Sequence, residues 1–463
     1  MTIWPPKREA LTRPAYHSLA QCLMRAIEAG EVPAGTKLPT HRALAFDLGL
    51  SVQTVSRAYE ELTRLGVISG QVGRGSYVQP KTTEAPLPWH RPHGTNQIID
   101  LSMLVPVTGD VHGELTADVM RGIAEDLPQA AAFSLRPRET LEAHNRQACD
   151  WLELCGVHVG SQDQILPTNG NTPAMTCALM TAAMPGDVIV SEDVGHHTLN
   201  SLASVLGLKL TGLAMDDQGI LPEAFEKACN NSSVTALCVM PAGLGPTASK
   251  MGIERRKAIV EIARRHSVWI IENDAWGPLE PDRTPPIASL APELTFYFTG
   301  MSKSILPGLR IAWLVIPESK VHAARTRHLV TNWMATPIIA EIASRWIEDG
   351  TARHLLNWQR QHLARRNRIV ADVLHDVSYR STPYGLHVWL SLPDHWPEDK
   401  IVALARNDGV AVASGANFRV DGAQPQRGIR VCLGAGSERD LEIGLNVLRR
   451  LVQSTPEPAV LAI

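Results

Sequence analysis

Apolar positions recur at helical spacing three times within the first 80 residues. Leu19, Leu23 and Ile27 share one face of a predicted helix over residues 16–29, which Gly30 closes. Thr40 is placed to cap a second, short helix running to Leu48. Gly49-Leu50-Ser51 forms a tight turn in which Ser51 caps a third helix running to Gly66. In that third helix Val55, Ala58, Leu62 and Leu65 fall on one face, while Gln53, Ser56, Arg57 and Arg64 fall on the other. Two short β-runs, 67–70 and 76–78, flank Gly73-Arg74-Gly75, a hairpin tip that carries one arginine.

Beyond this unit the pattern changes. Pro80, Pro86, Pro88 and Pro92 interrupt a stretch with little apolar periodicity, which reads as a linker over residues 80–97. Then short runs rich in Val, Ile and Leu alternate with amphipathic helical stretches. The predicted strands are 164–167, 187–191, 209–213, 235–240, 268–272, 295–299 and 311–316. Continuous apolar strands separated by helices imply a mostly parallel sheet of seven strands, buried on both faces. From about Val321 the pattern turns helical and then mixed. The predicted organisation is a head over 10–79, the linker, a large α/β domain over 98–325 and a small C-terminal α/β subdomain over 326–455.

Composition sharpens this picture at two points. The net charge of −3 conceals a basic head: residues 1–80 carry 9 Lys and Arg against 6 Asp and Glu, and the remainder carries 35 against 41. That asymmetry fits a small nucleic-acid-binding module on an acidic body. The seven cysteines are scattered without a C-x-x-C pair, so neither a disulfide framework nor a zinc site is indicated. No secretory pattern opens the chain and no run of about 18 apolar residues could span a bilayer. A cytoplasmic protein with no membrane partner and no metal is expected.

Helix, helix, turn, helix and wing is the arrangement that lays a third helix in the DNA major groove. A charged helix face alone would more often be merely solvated. Here Gly35-Thr-Lys-Leu-Pro-Thr-His-Arg42, Leu44-Ala-Phe-Asp-Leu-Gly-Leu-Ser51, Thr54-Val55 and Ala58-Tyr59-Glu60-Glu61-Leu62 closely resemble the GntR family of winged-helix regulators across residues 16–78. The resemblance implies that Arg42, the start of the third helix (Ser51, Val52, Gln53, Thr54, Arg57) and Arg74 face double-stranded operator DNA. Val52 stands where the family commonly has arginine. Valine can touch a thymine methyl but cannot bond guanine at two points, so a different operator preference is expected.

In the body, Thr299-Gly-Met-Ser-Lys303-Ser-Ile-Leu-Pro-Gly-Leu-Arg310 resembles the cofactor-lysine segment of fold-type-I pyridoxal-phosphate enzymes. It implies a Schiff base between Lys303 and the cofactor aldehyde. Arg310 would pair with the phosphate, since the guanidinium fork matches phosphate oxygens, and Ser302 would also contact the cofactor. Thr168-Asn-Gly-Asn-Thr172, ahead of a predicted helix, resembles the phosphate cup and brings in Gly170, Asn171 and Thr172. Glu272-Asn-Asp-Ala-Trp276 resembles the segment beside the pyridine ring, and Arg430, in Gly-Ile-Arg-Val-Cys432, matches the arginine that grips a substrate carboxylate. A winged helix joined to an aminotransferase-like domain is the plan of the MocR subgroup of GntR regulators, which implies a homodimer.

The departures from the enzyme pattern shape the functional expectation. Transaminases set a carboxylate against the pyridine nitrogen, so that the ring can absorb the carbanion's electrons. Alignment places Asn273 there, with Asp274 adjacent, and neighbouring strand residues point to opposite faces. Trp276 replaces the phenol at the ring oxygen, Gly245 replaces an asparagine in Gly245-Pro-Thr-Ala248, and His196 replaces the stacked aromatic ring. No tyrosine lies between Tyr77 and Tyr297. Three functions compete on this sequence. The first is a regulator that senses a small amino compound through pyridoxal phosphate on Lys303; the second is an active aminotransferase tethered to DNA; the third is a scaffold that only dimerises the head.

Overall fold

The computed structural model describes residues 4–6, 8, 11, 15–28, 31–33, 35–64, 67–71, 75–78, 98–128, 138–420 and 426–454. Two compact units divide the chain between Thr95 and Asn96.

The head contains α1 (Ala15–Glu28), α2 (His41–Leu48), α3 (Val52–Arg64) and the antiparallel pair β1 (Ile68–Gln71) and β2 (Gly75–Val78). Gly30, read as closing α1, lies outside the described residues, and the caps of α2 and α3 act as the sequence implied. Thr40 Oγ1 accepts from Ala43 N at 3.2 Å, and Ser51 Oγ accepts from Thr54 N at 3.1 Å. Gly49 closes α2 in the left-handed conformation, φ 57°. Leu19 and Leu23 of α1, Leu44 of α2, Val55, Ala58 and Leu62 of α3 and Val78 of β2 form one core. Leu65, the side chain of Arg64, Arg74 and the linker over 80–97 lie outside the described residues.

The body begins with β3 (Ile99–Asp100), α4 (Asp110–Asp126) and α5 (Arg138–Leu154). Next come β4 (Ile165–Thr168), α6 (Asn171–Ala182), β5 (Val188–Glu192) and β6 (Lys209–Leu213), then a small hairpin of β7 (Met215–Asp216) and β8 (Gly219–Ile220). β9 (Val234–Val239), α7 (Ile253–His266), β10 (Trp269–Asn273), β11 (Thr295–Gly300) and β12 (Ala312–Val315) complete the large sheet. Its order is β4-β12-β11-β10-β9-β5-β6. All seven expected strands are present, each within one residue of its predicted ends.

Only β12 runs against the others, pairing antiparallel with β11 and β4. The 11 residues between β11 and β12 are too few for a helical crossover, so the chain turns back beside itself. Side chains alternate across the sheet. Phe296 and Phe298 enter the core under α6, and Tyr297 enters the opposite one with Trp151 and Trp313. Burial on both faces explains why these strands read as unbroken apolar runs.

Helices α8 (Val321–Asn332), α9 (Pro337–Glu348) and the long α10 (Thr351–Val373) follow. Beyond them β13 (Tyr379–Arg380), β14 (His387–Ser391), β16 (Ala413–Ser414) and β17 (Gly428–Cys432) make a four-stranded sheet in the order β13-β14-β17-β16. β15 (Val410–Ala411) pairs in parallel with β3, so the first strand of the body joins the C-terminal subdomain, and Leu101 is buried in that subdomain's core. Among the described residues no helix is long and apolar enough to cross a membrane, and all seven cysteines are free thiols.

Candidate functional site

The register of the large sheet assembles the site. Gly300, the last residue of β11, lies opposite Ala312, which lies opposite Thr168. Three segments distant in sequence therefore emerge side by side: the turn carrying Ser302 and Lys303, the approach to β12 carrying Arg310, and the Asn169-Gly170 turn into α6. Asn273 ends β10 and His196 follows β5, so they too stand at carboxyl ends of parallel strands, where open α/β sheets bind ligands.

The cup at α6 is shaped for an anion. Gly170 caps the helix without a side-chain bond, and its φ of 101° with ψ of 176° is a conformation that glycine alone adopts readily. A Cβ there would lie 2.9 Å from Arg310 Nη2, so the bare Cα lets the guanidinium close over the helix N-terminus. Ser302 Oγ and Asn171 Oδ1 are buried and have no partner among the described residues. A helix N-terminus, an exposed arginine and an unspent hydroxyl suit a phosphate.

Lys303 is half-buried, and its Nζ donates to Leu104 O. Burial, then Arg430 and Arg310, pushes its amine down to about 8, with Cys432 opposing. Arg430 Nη2 donates to Ser102 O at 3.0 Å, and its guanidinium lies 4.6 Å over the Phe418 ring. His196 stacks on His197 at 4.5 Å. Burial, His197, Lys303 and Arg430 all hold the His196 imidazole below its usual range, so it is neutral at pH 7.

The two residues beside the expected pyridine position face opposite ways. Asp274 is wholly buried, and its Oδ2 accepts from Tyr297 OH at 2.6 Å and from Arg283. Its carboxylate is paired with Arg283 on the side of the sheet that holds Trp151 and Cys155. Asn273 Oδ1 accepts from Ala275 N at 3.2 Å, which leaves the amide N–H₂ as its free end. Trp276 is enclosed in the core, edge-on to His387 at 5.5 Å, and its Nε1 has no partner among the described residues.

Three contributions escaped sequence reasoning. His387 Nε2 donates to Gly245 O and Pro246 O at 3.0 and 3.1 Å, tying β14 to the loop where the expected asparagine is missing. Arg283 and Tyr297 decide the state of Asp274. Ser102 and Leu104 supply backbone carbonyls to Arg430 and Lys303. No side-chain pattern announces a carbonyl, so nothing in the sequence could have pointed to that last pair.

In the head, Arg42, Ser51, Gln53 and Arg57 are exposed, Val52 is 45% exposed, and Thr54 is half-buried. Ser51 Oγ is spent on its cap, while Arg57 lies 4.5 Å over the Tyr16 ring, which holds the guanidinium at the surface.

Fold and site together define a winged helix-turn-helix on a body with the architecture of pyridoxal-phosphate-dependent transferases. Residues 108–448 match the family of class I and II aminotransferases and residues 15–78 match the bacterial regulatory proteins of the gntR family; the chain therefore belongs to the aminotransferase class I and II family, with a GntR module at its head. It is similar to YdeF, an HTH-type transcriptional regulator of Bacillus subtilis, with 29% identity over 97% of this chain and 96% of the relative. It is 25% identical to PdxR, an HTH-type pyridoxine biosynthesis transcriptional regulator of Corynebacterium glutamicum, over 86% of this chain and 88% of that one. It is 24% identical to PtsJ, a vitamin B6 salvage pathway transcriptional repressor of Salmonella typhimurium, over 90% and 93%. Among solved structures, kynurenine aminotransferase of Pyrococcus horikoshii covers 80% of this chain with 96% of its own length, at a TM-score of 0.70 and 20% identity, a likeness of fold. The chain is a DNA-binding regulator of the MocR type.

Proposed function

We propose that this regulator holds pyridoxal phosphate on Lys303 and uses it to sense a small amino compound, without running an efficient transamination cycle. Gly170, Asn171, Thr172, Ser302 and Arg310 would hold the phosphate, His196 would stack on the ring, and Asn273 would meet the pyridine nitrogen. Trp276 would back the ring as a packed wall. When bound, pyridoxal phosphate supplies an aldehyde that captures primary amines and a ring that can draw electrons from the amine's α-carbon.

The observation that carries the sensor reading is the locking of Asp274 by Arg283 and Tyr297. Asp274 is turned away from the site, so the residue left beside the ring is an amide. Asn273 can donate a hydrogen bond to the pyridine nitrogen but cannot keep it protonated by charge, so capture of an amine is retained while carbanion chemistry is weakened. Lys303 is suited to capture. An amine with a pKa near 8 exposes about 300-fold more of its neutral form at pH 7 than an ordinary lysine. Arg430 would select amines that carry a carboxylate.

On DNA, the start of α3 (Ser51, Val52, Gln53, Thr54 and Arg57) would enter the major groove. Arg42 and Arg74 would flank it on the phosphates or at a groove edge. The protein would act in the cytoplasm as a homodimer on a two-fold operator. A second reading takes the cofactor itself as the signal, favoured by relatives whose names tie them to pyridoxine biosynthesis and vitamin B6 salvage.

The test is spectroscopic. Added pyridoxal phosphate should develop visible absorption, and borohydride reduction with mass spectrometry should place the adduct on Lys303. A panel of amines should perturb that spectrum and change operator affinity. An adduct on another lysine would overturn the site, and rapid turnover of amino and keto acids would overturn the sensor reading in favour of a DNA-tethered aminotransferase. A change in operator affinity with cofactor alone, and none with amines, would select the second reading.

A further inference from the structure

We propose that the backbone of residues 102–104 is a strap that occupies the ligand positions of the site and is released when ligand fills them. The proposal rests on the ligand-sensing reading and adds the part that moves.

Each of the two cations expected to engage ligand donates to a carbonyl of this one short segment. Arg430 Nη2 holds Ser102 O at 3.0 Å, and Lys303 Nζ holds Leu104 O. The segment is anchored on both sides of these bonds. Upstream, β3 pairs with β15, Leu101 N donates to Ala411 O at 2.8 Å, and Cys432 N donates to Leu101 O at 2.8 Å. Downstream, the buried Gln359 amide, in the orientation that satisfies both its ends, bonds Val107 O and Val107 N at 2.8 and 2.9 Å. Between the anchors residues 102–105 are only half-buried. Val105 O lies 1.7 Å from where a Cβ on Gly434 would sit, so the strap lies against bare backbone of the C-terminal subdomain.

Ligand competes directly with this strap. A carboxylate brings an opposite charge and can accept two parallel bonds from the guanidinium fork, so a carboxylate-bearing amine displaces the neutral Ser102 O from Arg430. Once Lys303 Nζ bonds the cofactor's aldehyde carbon, with water leaving, it loses the ammonium protons that hold Leu104 O. Cofactor alone thus removes the Lys303 restraint. A carboxylate-bearing amine that takes over the aldehyde returns Lys303 as a free amine able to hold Leu104 O again. It removes instead the Arg430 restraint on Ser102 O, a carbonyl that Cys432 Sγ shares at 3.5 Å. Filling the site thereby shifts the population of strap-bound and strap-free states by the difference in ligand affinity for the two.

The test uses hydrogen exchange on the full-length protein, read by mass spectrometry on peptides covering residues 98–107. In the chain without added ligand, Arg430→Met and Lys303→Met should each speed exchange there several-fold, with peptides from β9 and β10 unchanged. In the wild type, pyridoxal phosphate should loosen the strap in part. Methylamine added to that form frees Lys303 and leaves Arg430 on Ser102 O, so it should restore the protection of the unliganded chain, whereas glycine, whose carboxylate takes Arg430, should leave the strap loosened. Unchanged exchange in both variants would overturn the strap, even where visible absorption shows cofactor on Lys303. Loosening in both variants, with no cofactor absorption in the wild type, would support the strap and overturn the cofactor reading.

Discussion

Replacing Gly170 with alanine places a methyl group 2.9 Å from Arg310 Nη2 and 3.2 Å from its Cζ. The crowded atoms belong to the free end of an exposed side chain, so the fold survives by letting the guanidinium swing away. Two costs follow. The backbone must hold a non-glycine residue at φ 101° and ψ 176°, which costs about 1–3 kcal/mol of stability. The displaced arginine loses its charge-assisted bonds to phosphate, worth about 1.5–3 kcal/mol, and this corresponds to a roughly 10- to 150-fold weaker affinity for pyridoxal phosphate. Titration by visible absorbance would measure the affinity, and urea denaturation the stability. Arg310→Ala should weaken cofactor binding to a similar extent and leave stability nearly unchanged. Because both changes remove the same contact, the double variant should lose no more affinity than the worse single one. Fully additive losses, or a Gly170→Ala protein that binds cofactor like the wild type, would refute the idea that the glycine exists to admit Arg310.

Further expectations concern the neighbouring residues. Asn273→Asp should speed amino-group transfer tenfold or more, about 1.4 kcal/mol off the barrier, with little effect on amine binding in stopped-flow absorbance. Asp274→Asn strips the counter-charge from the largely enclosed Arg283 and should cost about 3 kcal/mol in denaturant unfolding. Cofactor capture should accelerate as pH rises, with a midpoint near 8. Removing Arg430 removes a cation that depresses the Lys303 pKa, so Arg430→Ala should move that midpoint upward. Arg42→Ala should weaken operator binding by about 1–3 kcal/mol if it reads a base, or lower the salt slope by about one if it meets phosphate, as judged by fluorescence anisotropy across salt concentrations.

Local signals were legible where local physics decides. Helical spacing in α1 and α3, the caps at Thr40 and Ser51 and the turn at Gly49 all act within a few residues, so the sequence by itself determined the head. The seven strands were equally legible, since burial on both faces forces unbroken apolar runs. Alignment placed Trp276 at the ring oxygen; that its indole packs against His387 is a tertiary outcome with no local mark. The Asn273 and Asp274 pair shows where sequence reasoning stops. Alternation guarantees that the two face apart, but that Asp274 is the one tied into the core depended on Arg283, nine residues on, and on Tyr297 from the adjacent strand. The hold of Arg430 and Lys303 on the carbonyls of residues 102 and 104 was decided by tertiary structure alone. Backbone oxygens are the same at every position in a sequence, and only the folded chain brings two of them within reach of cations 328 and 199 residues away.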